Sequence, residues 1–173
     1  MDIELEVNMI LVLLGTQNNS FHRLLEKVEN CIENKVINED VIVQAGYTKF
    51  NSDKMKIFDL IPRERLDELQ KESNLIITHG GVGSIISSIE KGKKVIAVPR
   101  LHEFQEHVNN HQIEIVENFN ELGFIIGIKN VEDLTTAIEK SKNFNPKEYK
   151  KDNNLMLKII EDFIDNNIKN GIE

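Results

Sequence analysis

The chain has 173 residues, of which 40% are hydrophobic and 29% are charged, a size and balance typical of one soluble globular domain. Its net charge of −8 and pI of about 5.2 argue against nucleic acid as a partner, because an acidic surface repels phosphate backbones. Cys31 is the single cysteine, which excludes an internal disulfide and fits a reducing cytoplasm.

No apolar run is long enough to span a membrane, since the longest covers only residues 9–14. The chain opens on acidic residues, where a secretory signal would be basic. We therefore expect a cytoplasmic protein that acts at a membrane only if another protein recruits it to the cytoplasmic face.

Buried-strand and amphipathic-helix patterns alternate along the chain. Residues 9–14 predict a strand that is apolar on both faces, followed by a polar turn over residues 15–20. Ser20 or Asn19 would cap the first helix, in which apolar side chains recur at helical spacing from Phe21 to Ile32. Further strands are predicted at residues 41–43, 55–58, 75–77, 95–98 and 124–128, and further helices at residues 63–70, 85–91, 105–118, 131–140 and 154–168.

This alternation predicts an α/β fold with a Rossmann-like, mainly parallel sheet and helices on both faces. Residues 1–173 would form one domain, with residues 152–169 as a C-terminal amphipathic helix. Ligands of such sheets bind beyond the carboxyl ends of the strands. The loops of interest therefore cover residues 15–20, 45–50, 78–84 and 99–105.

A glycine-rich turn over residues 78–84 lies between a predicted buried strand and a predicted helix. Gly80, Gly81 and Gly83 would let the backbone approach a ligand, and free amides at the helix start favour an anion. Ser84 could cap the helix or donate to a phosphate oxygen. A glycine cluster alone is equally compatible with a tight turn that binds nothing, so both interpretations stay open at this point.

Two other phosphate-binding motifs can be compared with this turn. The dinucleotide fingerprint requires a third glycine where Ile86 stands, and Arg100 rather than an acid follows the next strand. The Walker loop requires a Gly-Lys pair followed by Ser or Thr, which the sequence lacks. A nicotinamide cofactor and a nucleoside-triphosphatase activity are both disfavoured, and no cofactor is expected.

The histidines offer little evidence for a metal. His102 and His107 are five residues apart, whereas the zinc-protease motif needs four. His107 and His111 are four apart, so a metal pair remains conceivable, but exposed polar side chains on a helix explain them better. His79 stands at the mouth of the glycine-rich turn, where contacting a ligand and ordering the turn are both reasonable roles.

Four motifs occur in order at residues 77–84, 90–93, 98–100 and 106–112, preceded by shorter ones at residues 14–24 and 43–48. As a set they resemble the C-terminal domain of glycosyltransferase family 28, from about Met9 to Phe124. The resemblance is strongest to the small catalytic subunits of two-piece enzymes. These include the eukaryotic N-acetylglucosaminyltransferase that adds the second sugar of the lipid-linked oligosaccharide, and bacterial capsule and exopolysaccharide transferases.

The resemblance implies one lobe of a GT-B fold, the lobe that binds a UDP-sugar donor. The second lobe would be a separate, membrane-anchored subunit that binds a lipid-linked saccharide acceptor. Transfer would be metal-independent, which agrees with the lack of an Asp-x-Asp motif. We find no residue placed to deprotonate the acceptor, and the family pattern suggests that this base belongs to the partner.

The resemblance also assigns the site. Gly80, Gly81, Gly83 and Ser84 would hold the diphosphate; Asn110, His111 and Gln112 would lie near the sugar. The full predicted set is Gly15, Thr16, His79, Gly80, Gly81, Gly83, Ser84, Glu90, Arg100, Asn110, His111 and Gln112, with Phe58 in the nucleobase pocket. Arg100 could counter the diphosphate charge or be a surface arginine.

The sequence departs from the family pattern at one position. Relatives carry a ribose-binding acid where this chain has Ser87, and Glu90, one helical turn later, could replace it or be a solvated charge.

Two alternative functions remain: a non-catalytic subunit that only binds a nucleotide sugar, and a nucleotide-sugar epimerase, although epimerases normally carry both lobes in one chain.

The C-terminal helix has a broad apolar stripe. Its two rows are Leu155, Ile159 and Phe163, and Met156, Ile160 and Ile164. We expect part of the stripe to cover the domain's own sheet and the end near Phe163, Ile164 and Ile168 to dock on the acceptor-lobe subunit.

Overall fold

The computed structural model describes residues 8–151 and 154–169. Within these residues the strands are β1 Met9–Leu13, β2 Asp40–Gln44, β3 Lys56–Phe58, β4 Leu75–His79, β5 Lys94–Val98 and β6 Ile126–Gly127. The helices are α1 His22–Glu33, α2 Arg63–Glu72, α3 Val82–Ile89, α4 His111–Glu121, α5 Leu134–Ser141 and α6 Asn154–Lys169, with short 3₁₀ turns at His102–Phe104 and Val131–Asp133.

The described strands form a parallel sheet in the order β3-β2-β1-β4-β5-β6. The order reverses between β1 and β4, and the carboxyl ends of two such strands border the crevice in which open α/β sheets bind ligands. The turn after β1 and the glycine-rich turn after β4 lie on the two sides of this crevice. The predicted Rossmann-like sheet is therefore confirmed.

Each face of the sheet is covered by helices because the central strands are apolar on both sides. Ile10 and Val12 pack toward α1 and α5, whereas Leu11 and Leu13 pack toward a layer that includes α2, α3 and α4. All five residues of β1 are buried, as are all five of β4. This two-sided burial gives the crevice a rigid base.

The cap predicted for α1 is wrong. The helix begins at His22 after Phe21, whose backbone N–H donates to the Thr48 hydroxyl at 2.9 Å. The side-chain nitrogen of Asn19 instead donates to the carbonyl of Gln105, also at 2.9 Å. The polar residues of this turn thus connect it to other loops and do not cap the helix.

The helix predicted at residues 105–118 begins six residues late, at His111. Gln105 has a φ of +57°, in the left-handed region, so the preceding 3₁₀ turn cannot continue into a helix through it. The buried carboxylate of Glu106 is bonded to Arg23 on another element. A loop therefore replaces the first part of the predicted helix.

Smaller boundary differences occur elsewhere. The helix predicted at residues 85–91 begins earlier, at Val82, so that its first turn includes the last part of the glycine-rich turn. The strand predicted at residues 124–128 is shortened to Ile126–Gly127. The helix predicted at residues 131–140 begins with a 3₁₀ turn before α5.

The C-terminal helix is present, and Ile159 and Ile160 pack against the core beside α4. Leu157 and Ile164 are each 48% exposed. The side chains of Leu155, Met156, Phe163 and Ile168, to which the sequence also assigned packing or docking, lie outside the described part of the structure. Among the described helices, none has the length and apolar character needed to cross a membrane.

Candidate functional site

The glycine-rich turn after β4 leads directly into α3. Gly81 is the N-cap residue, and Val82, Gly83 and Ser84 form the first helical turn. Backbone N–H groups of a first turn have no acceptor within their own helix. Gly83 is exposed, and no described atom lies within 4 Å of the position that a Cβ would take. The protein's own packing therefore does not require a glycine at this position.

His79, the last residue of β4, packs its ring against Gly15 and Gly81. The residue is only 7% exposed, and a Cβ on Gly15 would lie 2.5 Å from its Nε2. A Cβ on Gly81 would also collide with the ring. Nδ1 lies 3.4 Å from the side-chain nitrogen of Gln112, and Nε2 lies 3.4 Å from the Ser84 hydroxyl. Gly15 and Gly81 thus allow the imidazole to fit between the two turns.

The imidazole of His79 is neutral. Burial lowers its pKa from 6.5 to about 3, and the positive charge of Arg100 acts in the same direction. At neutral pH the side chain of His79 is therefore uncharged, and its contacts are with Gln112 and Ser84.

Gln112 lies in the first turn of α4 and is 4% exposed. Its side-chain oxygen accepts hydrogen bonds from the backbone N–H groups of Gly80 and Arg100, each at 3.0 Å. Gln112 therefore clamps the turn after β4 to the loop after β5. Gln112 was expected near the sugar and Gly80 at the diphosphate. The Gly80 amide is already bonded to Gln112, so it is not free for a phosphate.

Arg100 is 1% exposed, which overturns the alternative of a surface arginine. Its guanidinium donates to the carbonyls of Leu14 at 2.5 Å, Asn19 at 2.7 Å and Glu106 at 3.3 Å. Burial lowers its pKa to about 10, so it remains charged at neutral pH. The guanidinium is thus bonded to the backbone of two loops. The sequence predicted that it counters a diphosphate charge and did not predict these bonds.

Sequence reasoning missed Glu106 and Arg23. The Glu106 carboxylate is 4% exposed and accepts from Arg23 Nε at 2.6 Å and Nη2 at 2.9 Å, and from the backbone N–H of Leu101 at 3.0 Å. The Arg23 guanidinium lies 4.3 Å from the ring centre of Phe104. Both residues fall inside motifs that carried the family resemblance. A charged residue with no assigned role inside such a motif could have been predicted to support the site.

Other predicted residues lie around the same edge. Thr16 is exposed in the turn after β1. Asn110 accepts a hydrogen bond from the His102 N–H at 2.9 Å, and His111 is partly buried at the start of α4. Phe58 ends β3 and is 50% exposed. The structure thus keeps these four residues on the carboxyl side of the sheet.

Exposed apolar side chains accompany Phe58 at this edge. Tyr47 follows β2 and is 57% exposed, and Leu60 follows β3 and is 61% exposed. The two loops are joined because the Gly46 N–H donates to the Asp59 carbonyl at 2.7 Å. A flat apolar ligand such as a nucleobase would find partners here.

Glu90 does not join the other predicted residues. It forms the C-cap of α3, about 10 Å along the helix from Gly83 at 1.5 Å per residue. Its carboxylate lies 3.7 Å from the ammonium of Lys151. The hydroxyl of Ser87 accepts a hydrogen bond from Gln70 on α2 at 2.7 Å. Neither residue is oriented toward the glycine-rich turn, so the ribose role suggested for Glu90 has no geometric support.

The histidine-rich segment does not have the geometry of a zinc-protease site. His102 lies in a 3₁₀ turn, and Nε2 of His107 lies 3.2 Å from the side-chain nitrogen of Gln17. Nδ1 of His107 accepts a hydrogen bond from the Asn109 N–H at 3.3 Å. Among the residues that the structure describes, no three His, Cys, Asp or Glu side chains are grouped as metal ligands.

Solved structures share this fold. The NMR structure of ALG13 has a TM-score of 0.56 at 19% identity, over 83% of this chain and 90% of that one. UDP-GlcNAc 2-epimerase from Methanocaldococcus jannaschii has a TM-score of 0.61 at 19% identity, over 92% of this chain and 46% of that one. At these identities the similarity establishes the Rossmann-like fold of a GT-B lobe and nothing finer.

Curated relatives are similar in sequence. UDP-N-acetylglucosamine transferase subunit ALG13 of Kluyveromyces lactis is 30% identical over 122 residues, or 70% of this chain and 52% of that protein. The Candida albicans protein of the same name is 24% identical over 156 residues, or 82% of this chain and 52% of that protein. The chain spans about half the length of these relatives.

The match to a family model covers nearly the whole chain. The model of the glycosyltransferase family 28 C-terminal domain matches residues 9–166, which include all of the described strands and the glycine-rich turn. Together with the fold and the arrangement of the turns, this match shows that the chain belongs to glycosyltransferase family 28 as a C-terminal-type domain.

Proposed function

We propose that this chain is the donor-binding, catalytic subunit of a two-component glycosyltransferase that moves a sugar from a UDP-sugar to a lipid-linked saccharide. The observation that carries the proposal is the open space above Gly83 at the start of α3, beside the crevice between β1 and β4. A glycine in a helix costs about 1 kcal/mol relative to alanine. A residue with that cost and no packing reason is well explained by close approach of a ligand.

The diphosphate fits the start of α3 chemically. Expulsion of a nucleoside diphosphate needs stabilisation of negative charge as it develops, and oriented amides with a helix dipole supply it. The amides of Val82, Gly83 and Ser84 would receive the phosphates from one side of the crevice. Gly15 and Thr16 would meet them from the other side, because their turn is separated from the glycine-rich turn only by the His79 ring.

The acceptor hydroxyl needs a general base from another source. His79 is the histidine nearest the proposed phosphate site, but a group with a pKa of about 3 is a poor base at neutral pH. Its burial and its contacts with Gln112 and Ser84 also hold it away from solvent. We therefore assign the base to the partner subunit.

The remaining donor groups have places at the same edge. The uracil would lie against Phe58, with Tyr47 and Leu60 beside it. The sugar would lie near the loop after β5, where Asn110 and His111 begin α4. Gln112 would act on the sugar only indirectly, through the backbone of Gly80 and Arg100.

The partner would bind the acceptor and anchor the complex to the membrane. The curated relatives are named as subunits of an N-acetylglucosamine transferase, and the described residues form one Rossmann-like sheet. Leu157 and Ile164 of α6 are apolar and half-exposed, whereas Ile159 and Ile160 of the same helix pack against the core. The exposed side of α6 would dock on a membrane-anchored acceptor-lobe subunit, which would recruit the chain to the cytoplasmic face.

Two measurements test the proposal. Titration calorimetry of the full chain with uridine diphosphate should give a micromolar to millimolar dissociation constant, the usual range for enzyme substrates. Radiolabelled sugar transfer by the chain reconstituted with its partner should then persist in EDTA. Absence of any binding contradicts the proposal, binding without transfer supports a non-catalytic subunit, and loss of transfer restored by manganese or magnesium contradicts the metal-independent chemistry.

A further inference from the structure

The turn after β1 is held closed by a side chain from another loop. We define the β1 turn as residues 14–19 and the β5 loop as residues 99–107. One terminal nitrogen of the Arg100 guanidinium donates to the carbonyl of Leu14, and the other to the carbonyl of Asn19. These are the first and last residues of the β1 turn, so one guanidinium fixes the distance between its two ends.

A second set of contacts joins the β5 loop to α1, which follows the β1 turn. Arg23 in the first turn of α1 makes a two-pronged ion pair with Glu106, and Glu106 also accepts from the Leu101 N–H. The Asn19 side chain donates to the Gln105 carbonyl. These bonds and those of Arg100 make the β1 turn and the β5 loop one connected unit.

Stability alone does not explain this arrangement. Arg100 is 1% exposed, and the Glu106 carboxylate, which pairs with Arg23, is 4% exposed; buried charged groups are often no more stabilising than apolar side chains of similar volume. Within the described residues, Nε of Arg100 is buried without a hydrogen-bond partner, which adds a cost. What the charged groups provide that apolar ones would not is a fixed geometry, because a guanidinium binds its acceptors in a planar fork.

The fixed geometry reaches the proposed donor site. Gln112 accepts from the backbone N–H of Arg100 and from that of Gly80, so the same loop is tied to the glycine-rich turn. Gly15, inside the β1 turn, lies against the His79 ring. The positions of Gly15 and Thr16 relative to the start of α3 are thus set by Arg100 and its partners.

We propose that Arg100, Glu106 and Arg23 are positioning residues that hold the β1 turn at the separation from α3 at which both can contact the diphosphate of the donor. The inference rests on the proposed donor-binding function. The three residues touch no part of the donor themselves. They act by removing the freedom of Gly15 and Thr16 before the ligand arrives, and such preorganisation is a direct contribution to affinity.

Arg23 offers the sharpest test because its side chain, at 18% exposed, is the most accessible of the three. In the full chain, Arg23→Met removes the ion pair but keeps an apolar stem beside Phe104. We expect the dissociation constant for uridine diphosphate, measured by calorimetry at 20 °C, to rise about tenfold. Arg23→Lys keeps a charge for Glu106 and should restore affinity to within about threefold of wild type.

The chain contains a matched control. Lys91, just after the C-terminal end of α3, pairs with Asp67 at 3.0 Å and is 17% exposed, close to the value for Arg23, although Asp67 is 45% exposed and Glu106 only 4%. Lys91→Met should lower the thermal midpoint less than Arg23→Met, because it leaves a half-exposed carboxylate unpaired and not a buried one, and should leave the affinity for uridine diphosphate within about twofold of wild type. If the loss of affinity follows the loss of thermal stability in both variants, the role of Arg23 is purely structural; a loss of affinity confined to Arg23→Met supports the positioning role.

Arg100→Lys and Glu106→Gln provide a second pair of measurements, since each keeps most of the volume while removing the fork or the charge. Both should weaken binding of uridine diphosphate in protein that circular dichroism shows to be folded. If wild type binds and Arg23→Met, Arg100→Lys and Glu106→Gln all bind equally well, the positioning role is refuted and the proposed function stands. If wild type binds no uridine diphosphate, both are refuted.

Discussion

The start of α3 and the helix α6 each have one side whose residues are accounted for by packing within the protein and one side whose residues are not. At α3, Gly81 is required because a side chain would strike His79, whereas Gly83 faces open space. On α6, Ile160 packs against the core, whereas Ile164 is 48% exposed. The unexplained side of α3 exposes backbone amides and the unexplained side of α6 exposes aliphatic groups, so the first suits a small anion and the second a protein.

The largest effect should come from a charge on the open side of α3. Gly83→Asp places a carboxylate where the diphosphate is proposed to bind, and we expect it to weaken binding of uridine diphosphate at least about 100-fold. The thermal midpoint should change little because no described atom lies within 4 Å of the new Cβ. Normal sugar transfer by the mutant complex would show that the ligand binds elsewhere, and an unfolded mutant would be recognised by circular dichroism.

The same Gly→Ala substitution should have opposite effects on stability on the two sides of the crevice. Gly15→Ala combines a φ of +75° with a Cβ 2.5 Å from the His79 ring and should cost about 2 kcal/mol or more. Gly83→Ala lies in a helix with free space and should gain up to about 1 kcal/mol. Urea unfolding measures both free energies, and a loss at Gly83 as large as that at Gly15 would contradict the assignment of the two sides.

The buried imidazole predicts a specific dependence of stability on pH. The unfolded chain protonates His79 near pH 6.5, whereas the folded chain resists protonation down to about pH 3. The contribution of this residue is therefore fully present above pH 6.5 and declines as the pH falls toward 3. Relative to His79→Asn, wild type should lose up to about 1.4 kcal/mol per pH unit between pH 6 and 4.5.

Urea unfolding of both proteins across that pH range gives the difference directly, because the other titrating groups are common to the two. Parallel stability curves would mean that His79 is accessible to protons in the folded state, and would reopen its role as a ligand-contacting charge.

The smallest effects are expected on α6. Ile164→Asp should leave the free energy of unfolding within about 0.5 kcal/mol, since the side chain is half-exposed, but should reduce co-purification with the acceptor-lobe partner several-fold. Ile160→Ala, on the packed side, should lower stability by about 1–2 kcal/mol and spare the association measured on folded protein. Undiminished co-purification of Ile164→Asp would move the proposed interface to the loops at the carboxyl edge of the sheet.

The sequence was most informative where a short pattern of residue types is typical of one local structure. The run at residues 9–14 predicted a strand that is buried on both faces, and β1 is buried throughout. Glycines between a strand and a helix predicted the turn after β4, and the ordered set of motifs that includes them carried the resemblance to the family. Such patterns are local, so they can be interpreted without knowing which residues pack against them in the tertiary structure.

The support of the site could not be predicted in the same way. Gln112 was assigned to the sugar, yet its oxygen bonds two backbone N–H groups, 32 and 12 residues away in sequence. The break in the predicted helix at Gln105 depends on a left-handed backbone that glutamine rarely adopts. Both depend on contacts between distant loops, which no spacing in the sequence encodes.

The connected β1 turn and β5 loop restrict how this protein can diverge over evolutionary time. Substitution of Glu106 leaves the Arg23 guanidinium without its carboxylate, and substitution of Arg100 leaves the backbone carbonyls of Leu14 and Asn19 without their donor, so a neutral change at either position requires a second, compensating change. Tyr47, Phe58 and Leu60, at least half exposed after β2 and β3, can each be replaced alone. Descendants that accept a different donor should therefore arise by single changes on the β2–β3 side, while the half of the crevice proposed to hold the phosphates is inherited unchanged.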